Sequence, residues 1–334
     1  MPHHAAQLIR PLLLSILIAL ALYVAAVAAG DARAVAAALA RFTFWDIGLV
    51  LALSLVNYLL RFGRWHLYLL RQQIRVPLGS NLLIYVAGFA LVTTPAKVGE
   101  VIRSGYLKQY HAVGYAQSLA ALFADRLLDV AAVLLLALLG SLAFPEYRLV
   151  VGAIALLLLI TLPLLHSPLL QNFLRHLASR LRRPALRRVA GQLLHLLAAA
   201  ALLLRGRTLL LGLLLSLIAW FAEGVGFWWI CQVLGLELSL SLAIGIYAVA
   251  MLAGAASMIP GGLGSTEAVM GVMLYALSGD LSLAVTATLL CRLATLWFAV
   301  LLGFAAIARL GVPNISPLCS GVIAPQRGET RSDK

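Results

Sequence analysis

Apolar stretches of about 20 residues, the length that crosses a bilayer as a helix, recur in this chain at 12–29, 46–70, 117–143, 149–166, 208–232 and 282–308. Inside lipid the backbone must satisfy its own polar groups, so runs this long and this apolar are expected to be spanning helices. Composition agrees. Of 334 residues, 63% are hydrophobic and 11% charged, with a mean hydropathy of +1.01. A soluble globular chain carries roughly 45–50% apolar and about 25% charged residues. The surplus has no water-soluble core to enter, which excludes soluble enzymes, nucleic-acid binders and secreted scaffolds. The 25 Lys+Arg against 12 Asp+Glu then point to basic cytoplasmic loops facing anionic lipid, and not to a nucleic-acid partner. Cys231, Cys291 and Cys319 lie far apart without a CxxC pair, so neither a disulfide framework nor a zinc site is expected.

The first run outlasts the roughly 7 to 15 residues of a signal-peptide core and is read as an uncleaved anchor. Two further apolar segments, 80–94 and 241–259, end in Thr93-Thr94-Pro95 and Ile259-Pro260-Gly261-Gly262, each followed by a weaker helical stretch. Proline and glycine break the helical ladder there, and lipid tolerates such breaks only where protein or a cavity satisfies the freed groups. Each pair reads as a re-entrant helical hairpin. Between His166 and Thr208 stand eight arginines and no acidic residue, with leucines at helical spacing beside them. This predicts a basic amphipathic segment on the cytoplasmic surface. The tail 309–334 is short and rich in Pro, Gly and Ser, and is expected to be disordered.

A shift of 162 residues superposes Leu51, Ser54, Leu55, Leu78 and Tyr85 on Leu213, Ser216, Leu217, Leu240 and Tyr247. Three more residues bring Pro95 and Gly99 onto Pro260 and Gly264, and one more brings Ala121, Arg126 and Leu127 onto Ala287, Arg292 and Leu293. Collinear Pro, Gly, Tyr and Arg matches indicate a duplication. The expected organisation is a first transmembrane helix and loop (1–45), repeat one (46–143), a linking helix with the basic segment (144–207), repeat two (208–308) and the tail. The fold class is all-α integral membrane protein, about six spanning helices plus two re-entrant hairpins. If each hairpin leaves on the side it entered, the repeats are inverted; if the segments cross fully, they are parallel. The charge distribution favours inversion.

Chemistry concentrates at the breaks and in mid-helix. Lys97, Glu100 and Arg103 recur every three residues after Pro95, beside Gly99, and two cations near the membrane centre suit an anionic head group. Asp125 and Asp129 lie one turn apart, flanking Arg126. They read either as a divalent-metal pair or, with Lys97, Arg103 and Arg126 as counter-ions, as an internal charge network, which is favoured. In repeat two Pro260, Gly261, Gly262, Gly264 and Glu267 form the matching break, where glycines let backbone N–H groups approach a phosphate. Arg292 repeats Arg126. Arg61 and Arg64 lie in the second spanning helix, and Glu223 is the repeat equivalent of Arg61. The expectation is an Arg61–Glu223 ion pair across the repeat interface.

At these residues the chain resembles the membrane region of the lysylphosphatidylglycerol synthase/flippase family, including its stand-alone members. The resemblance rests on Arg61-x-x-Arg64-Trp65, Pro95-x-Lys97-x-Gly99-Glu100-x-x-Arg103, Asp125-Arg126-x-x-Asp129 and Pro260-Gly261-Gly262-x-Gly264-x-x-Glu267. Ala96 departs from it, glycine being expected there. The resemblance implies a lipid-translocating domain of the cell membrane, multi-pass and without a cofactor. The expected activity is non-enzymatic: movement of an anionic phospholipid or lipid-linked phosphate head group between leaflets. The alternatives are a membrane-embedded head-group transferase, or an accessory subunit of a partner synthase or glycosyltransferase. No HExxH and no nucleotide-binding loop supports the transferase.

Overall fold

In a computed structural model of the chain, residues 32–93, 101–141, 148–167 and 184–311 are described, with isolated helical positions between 169 and 180. The apolar run 12–29, the break 94–100 and the tail beyond 311 lie outside them. Every regular element among the described residues is helical, as expected of an all-α membrane protein. The chain opens with α1 (Ala32–Leu39) and α2 (Phe44–Arg71). A short helix α3 (Leu78–Ala87) tightens into a 3-10 turn at Gly88–Leu91, and α4 (Ile102–His111) leads to α5 (Tyr115–Ser141). Then come α6 (Arg148–His166), α7 (Pro184–Leu203), α8 (Gly206–Val233) and α9 (Leu240–Ala256). After a 3-10 turn at Pro260–Gly262 the chain runs through α10 (Ser265–Ser278) and α11 (Leu281–Arg292), and a π turn at Leu293–Trp297 joins α11 to α12 (Phe298–Leu310). Three of these are long and apolar enough to cross a membrane: α2, α8 and the continuous 281–310 helix.

The duplication is visible in the packing. α2 and α8 are both 28 residues long. Asn57 and Ala219, each the fourteenth residue of its helix, are 162 positions apart and joined by a hydrogen bond from Asn57 Nδ2 to Ala219 O at 2.9 Å. A contact between equivalent positions lies on the local twofold axis relating them. To one side, Arg64 Nη1 donates to Ser216 Oγ. To the other, Trp229 Nε1 donates to Asp46 at 3.0 Å and Arg41 Nη1 to Leu234 O at 2.8 Å. The two helices therefore cross antiparallel at their midpoints, which inverts one repeat relative to the other. Thr43 fixes where α2 begins: its hydroxyl accepts from Asp46 N while the Asp46 carboxylate accepts from Thr43 N, a capping box.

α3 and α4 fold back on one another. Ser80 in the first turn of α3 lies 2.7 Å from His111 Nε2 at the end of α4, and Gln72 after α2 donates to Gln117 O in α5 at 3.2 Å. The hairpins then exchange partners: α9 packs on α5, and α3 with its 3-10 turn packs on α12. Gly303 permits the second contact, since a Cβ there would overlap the backbone of Ala90 and Phe89. The segment expected as a basic surface loop contains α7, which packs on α5 and buries Ala200 and Leu203. The leucine-spaced stretch 169–181 that carried the expectation lies largely outside the described residues, and its described Leu169 and Phe173 are exposed (78% and 63%).

Candidate functional site

α5 is wedged against both α2 and α8, and its two aspartates meet arginines from α2. Arg64, with no solvent exposure, donates through Nε and Nη2 to Asp125 Oδ1 at 2.8 and 2.5 Å, and through Nη2 to Asp129 Oδ1 at 2.8 Å. Arg61 Nη2 donates to Asp129 Oδ2 at 2.9 Å. Arg126 bridges both acids, at 2.8 Å to Asp125 Oδ2 and 3.3 Å to Asp129 Oδ2. Trp220 Nε1 of α8 completes Asp129 at 3.1 Å, with the Arg61 guanidinium 5.2 Å from its ring centroid. Every carboxylate oxygen of the pair thus accepts from a cation. This is an internal network with different cations from those expected: Arg126 takes part, Arg61 and Arg64 supply the other guanidiniums, Arg103 packs against Tyr85, and Lys97 lies outside the described residues.

Repeat two builds a second, smaller pairing at its break. Arg292 Nε donates to Glu267 Oε1 at 2.7 Å and Nη2 to Gly261 O at 2.6 Å, while Glu267 Oε2 accepts from Gly264 N at 2.9 Å. One guanidinium therefore ties both sides of the Pro260–Gly264 turn together. Gly261 (φ 62°), Gly262 (φ 65°) and Gly264 (φ 84°) adopt the left-handed backbone that side chains resist, which is why the break is glycine-rich.

The expected Arg61–Glu223 pair is replaced. Arg61 bonds Asp129, and the buried Glu223 carboxylate accepts from Tyr247 OH at 2.5 Å. The reason is packing: α5 inserts its own acid beside Arg61, and α9 brings a phenol to Glu223. Both residues instead face a cavity of about 70 Å³ between the repeats. Its walls come largely in equivalent pairs, Tyr58 with Trp220, Arg61 with Glu223, Phe89 with Met251 and Arg126 with Arg292, so it lies on the twofold axis. The scaffold is shared while its chemistry differs: Trp220 reaches Asp129, whereas Tyr58 OH reaches the Thr295 carbonyl at 2.5 Å. An adjoining cavity of about 240 Å³ shares Arg126, Trp220, Met251 and Gly261 and is bounded also by Asp129, Gly262 and Thr266.

The sequence-derived candidates thus divide. Arg61, Arg126, Asp129, Glu223, Gly261, Gly262 and Arg292 line the cavities, and Arg64, Asp125, Pro260, Gly264 and Glu267 build their walls from behind. Arg103 stands apart, under the rings of Tyr85 (4.0 Å), Phe89 (5.4 Å) and Trp65 (5.8 Å), donating to Tyr85 O at 3.0 Å. Lys97, Gly99 and Glu100 lie outside the described residues. Tyr58, Trp220 and Met251 were not anticipated, although the 162-residue shift places an aromatic on an aromatic at 58 and 220.

Comparison with known proteins accords with this architecture. A family model described as lysylphosphatidylglycerol synthase TM region matches residues 12–303. A protein named UPF0104 membrane protein, from Methanothermobacter thermautotrophicus, is 25% identical over 255 residues, covering 69% of this chain and 74% of that protein. The chain belongs to the lysylphosphatidylglycerol synthase membrane-region family.

Proposed function

We propose that this family member is a non-enzymatic lipid translocator of the cell membrane, moving the head group of an anionic phospholipid or a lipid-linked phosphate between leaflets. One observation carries the reading: a cavity that Arg61, Arg126, Glu223 and Arg292 help to line, on the twofold axis of two inverted repeats, at the midpoint of the crossing helices α2 and α8. Inverted repeats meeting around interrupted helices are the build of many secondary transporters, with the site near the bilayer midplane. On this reading α3–α4 and α9–α10 are re-entrant hairpins, and the Pro260–Gly264 break of the second faces the lipid path. Arg126, whose side chain is 24% exposed, meets the phosphate, while Trp220 and Met251 pass the apolar glycerol. A head-group transferase built on a metal held by Asp125 and Asp129 is disfavoured, because arginines engage both carboxylates. A synthase or glycosyltransferase partner would supply or consume the moved lipid.

The test is leaflet exchange in liposomes holding the purified protein and fluorescent lipids of differing head groups, read by quenching from outside. Phosphatidylglycerol or a polyprenyl phosphate should exchange faster than a neutral lipid, and Arg126→Gln should slow it. Exchange no faster than in protein-free liposomes, for every head group, refutes the reading.

A further inference from the structure

A third cavity, of about 220 Å³, has walls of a different kind. It lies between the N-terminal part of α2, the C-terminal part of α8 and the junction of α11 with the π turn, bounded by Ile47, Val50, Leu51, Ile230, Leu293 and Ala294. Repeat one has the same corner, and there it is solid. The equivalents of Val50, Ile230 and Ala294 are Gly212, Tyr68 and Leu128. Tyr68 and Leu128 are buried and reach so far in that a Cβ on Gly212 would lie 2.7 Å from each of them. Isoleucine for tyrosine and alanine for leucine empty the corner in repeat two.

Water does not suit such a space, because a buried water needs two to four polar partners and these walls supply side chains of hydrocarbon only. Its medium is lipid. Ile47 is 49% and Leu293 50% exposed at the rim, on two helices long and apolar enough to cross a membrane. Val50 stands seven residues from Asn57 at the helix midpoint, about 10 Å at 1.5 Å per residue, within the ~15 Å half-thickness of the hydrocarbon core. An apolar cavity of about 150 Å³ already accepts a benzene-sized ligand. Leu293 and Ala294 wall this cavity, and the next two residues, Thr295 and Leu296, line the central one. We infer that the 220 Å³ cavity is a binding site for a hydrocarbon chain of a bilayer lipid, the chain of the lipid whose head group enters the central cavity. The second clause rests on the translocator reading; the site itself does not.

The test uses the full chain in phosphatidylglycerol vesicles containing a trace of phosphatidylglycerol with a diazirine on one acyl chain, and maps the photolabel by peptide mass spectrometry. Label should concentrate on 47–51, 230 and 290–294, severalfold above the lipid-facing Leu211 and Leu214. Ala294→Leu, which installs the residue of repeat one, should cut it about tenfold, as displacing about two methylenes would. Val50→Phe, from the opposite wall, should do the same. Labelling no greater than at Leu211 and Leu214, or unchanged in both variants, overturns the site. Leaflet exchange is measured in the same vesicles. If the cavity labels but no lipid exchanges, the chain site stands and the translocator reading fails; if lipid exchanges without labelling, the chain site alone fails.

Discussion

Asp129→Asn keeps the shape of the side chain and removes one charge from the centre of the buried network. Three guanidiniums, from Arg61, Arg64 and Arg126, contact Asp129 at 2.9, 2.8 and 3.3 Å, and Asp125 shares Arg64 and Arg126 with it. The cluster holds three arginines and two aspartates, so the variant raises its net charge by one in a site where Arg64 has no contact with solvent. At an effective dielectric of about 20, a charge pair about 4 Å apart attracts by roughly 4 kcal/mol. Desolvation offsets much of that, and removing one partner of a buried pair typically costs about 3–5 kcal/mol. Arg61→Met should cost well under half as much, because Asp129 keeps Arg64 and Arg126. Heating each variant in detergent and following the monodisperse peak by size exclusion gives the order. Combining Asp129→Asn with Arg61→Gln restores the net charge and should recover part of the loss. If Asp129→Asn is no worse than Arg61→Met, the network is not what holds α5 between α2 and α8.

Three further outcomes are expected. Single cysteines at positions 72 and 205 in a cysteine-free background should label from the cytoplasmic side and one at 237 from outside, since the crossing of α2 and α8 puts Arg71 and Arg205 at one end; labelling of 72 and 237 from the same side rules out inversion. Gly303→Ala should destabilise the fold by about 1–3 kcal/mol, because the new methyl meets the backbone of Ala90 and Phe89, which cannot rotate away; unchanged thermal stability contradicts that contact. Leaflet exchange should be indifferent to chelator and to added magnesium, given carboxylates saturated by arginine; activity lost with chelator and restored by magnesium would revive the transferase reading.

Residue type and spacing alone determined that this is a helical membrane protein and where its described long helices run, and they pointed to a duplication. Each of those follows from local or periodic properties: a run of Leu and Ala is apolar wherever it packs, and a Pro-Gly-Gly break interrupts a helix in any setting. The expected runs 46–70, 117–143, 149–166, 208–232 and 282–308 accordingly coincide with the helices α2, α5, α6, α8 and α11–α12 to within a few residues, of which α2, α8 and 281–310 are long and apolar enough to cross a membrane, while 12–29 lies outside the described residues. Which charge meets which was decided only by tertiary packing. Arg61 and Glu223 are equivalent in sequence, yet equivalence specifies a shared position relative to the axis and not a contact. Because α5 inserts between α2 and α8, Arg61 found Asp129, 68 residues away, and Glu223 was left to Tyr247. The choice between inverted and parallel repeats likewise turned on the antiparallel crossing at Asn57 and Ala219, a relation between distant segments that hydropathy does not encode. The hollow corner at Ala294 belongs to the same class, because a small residue opens a cavity only where its neighbours fail to close it.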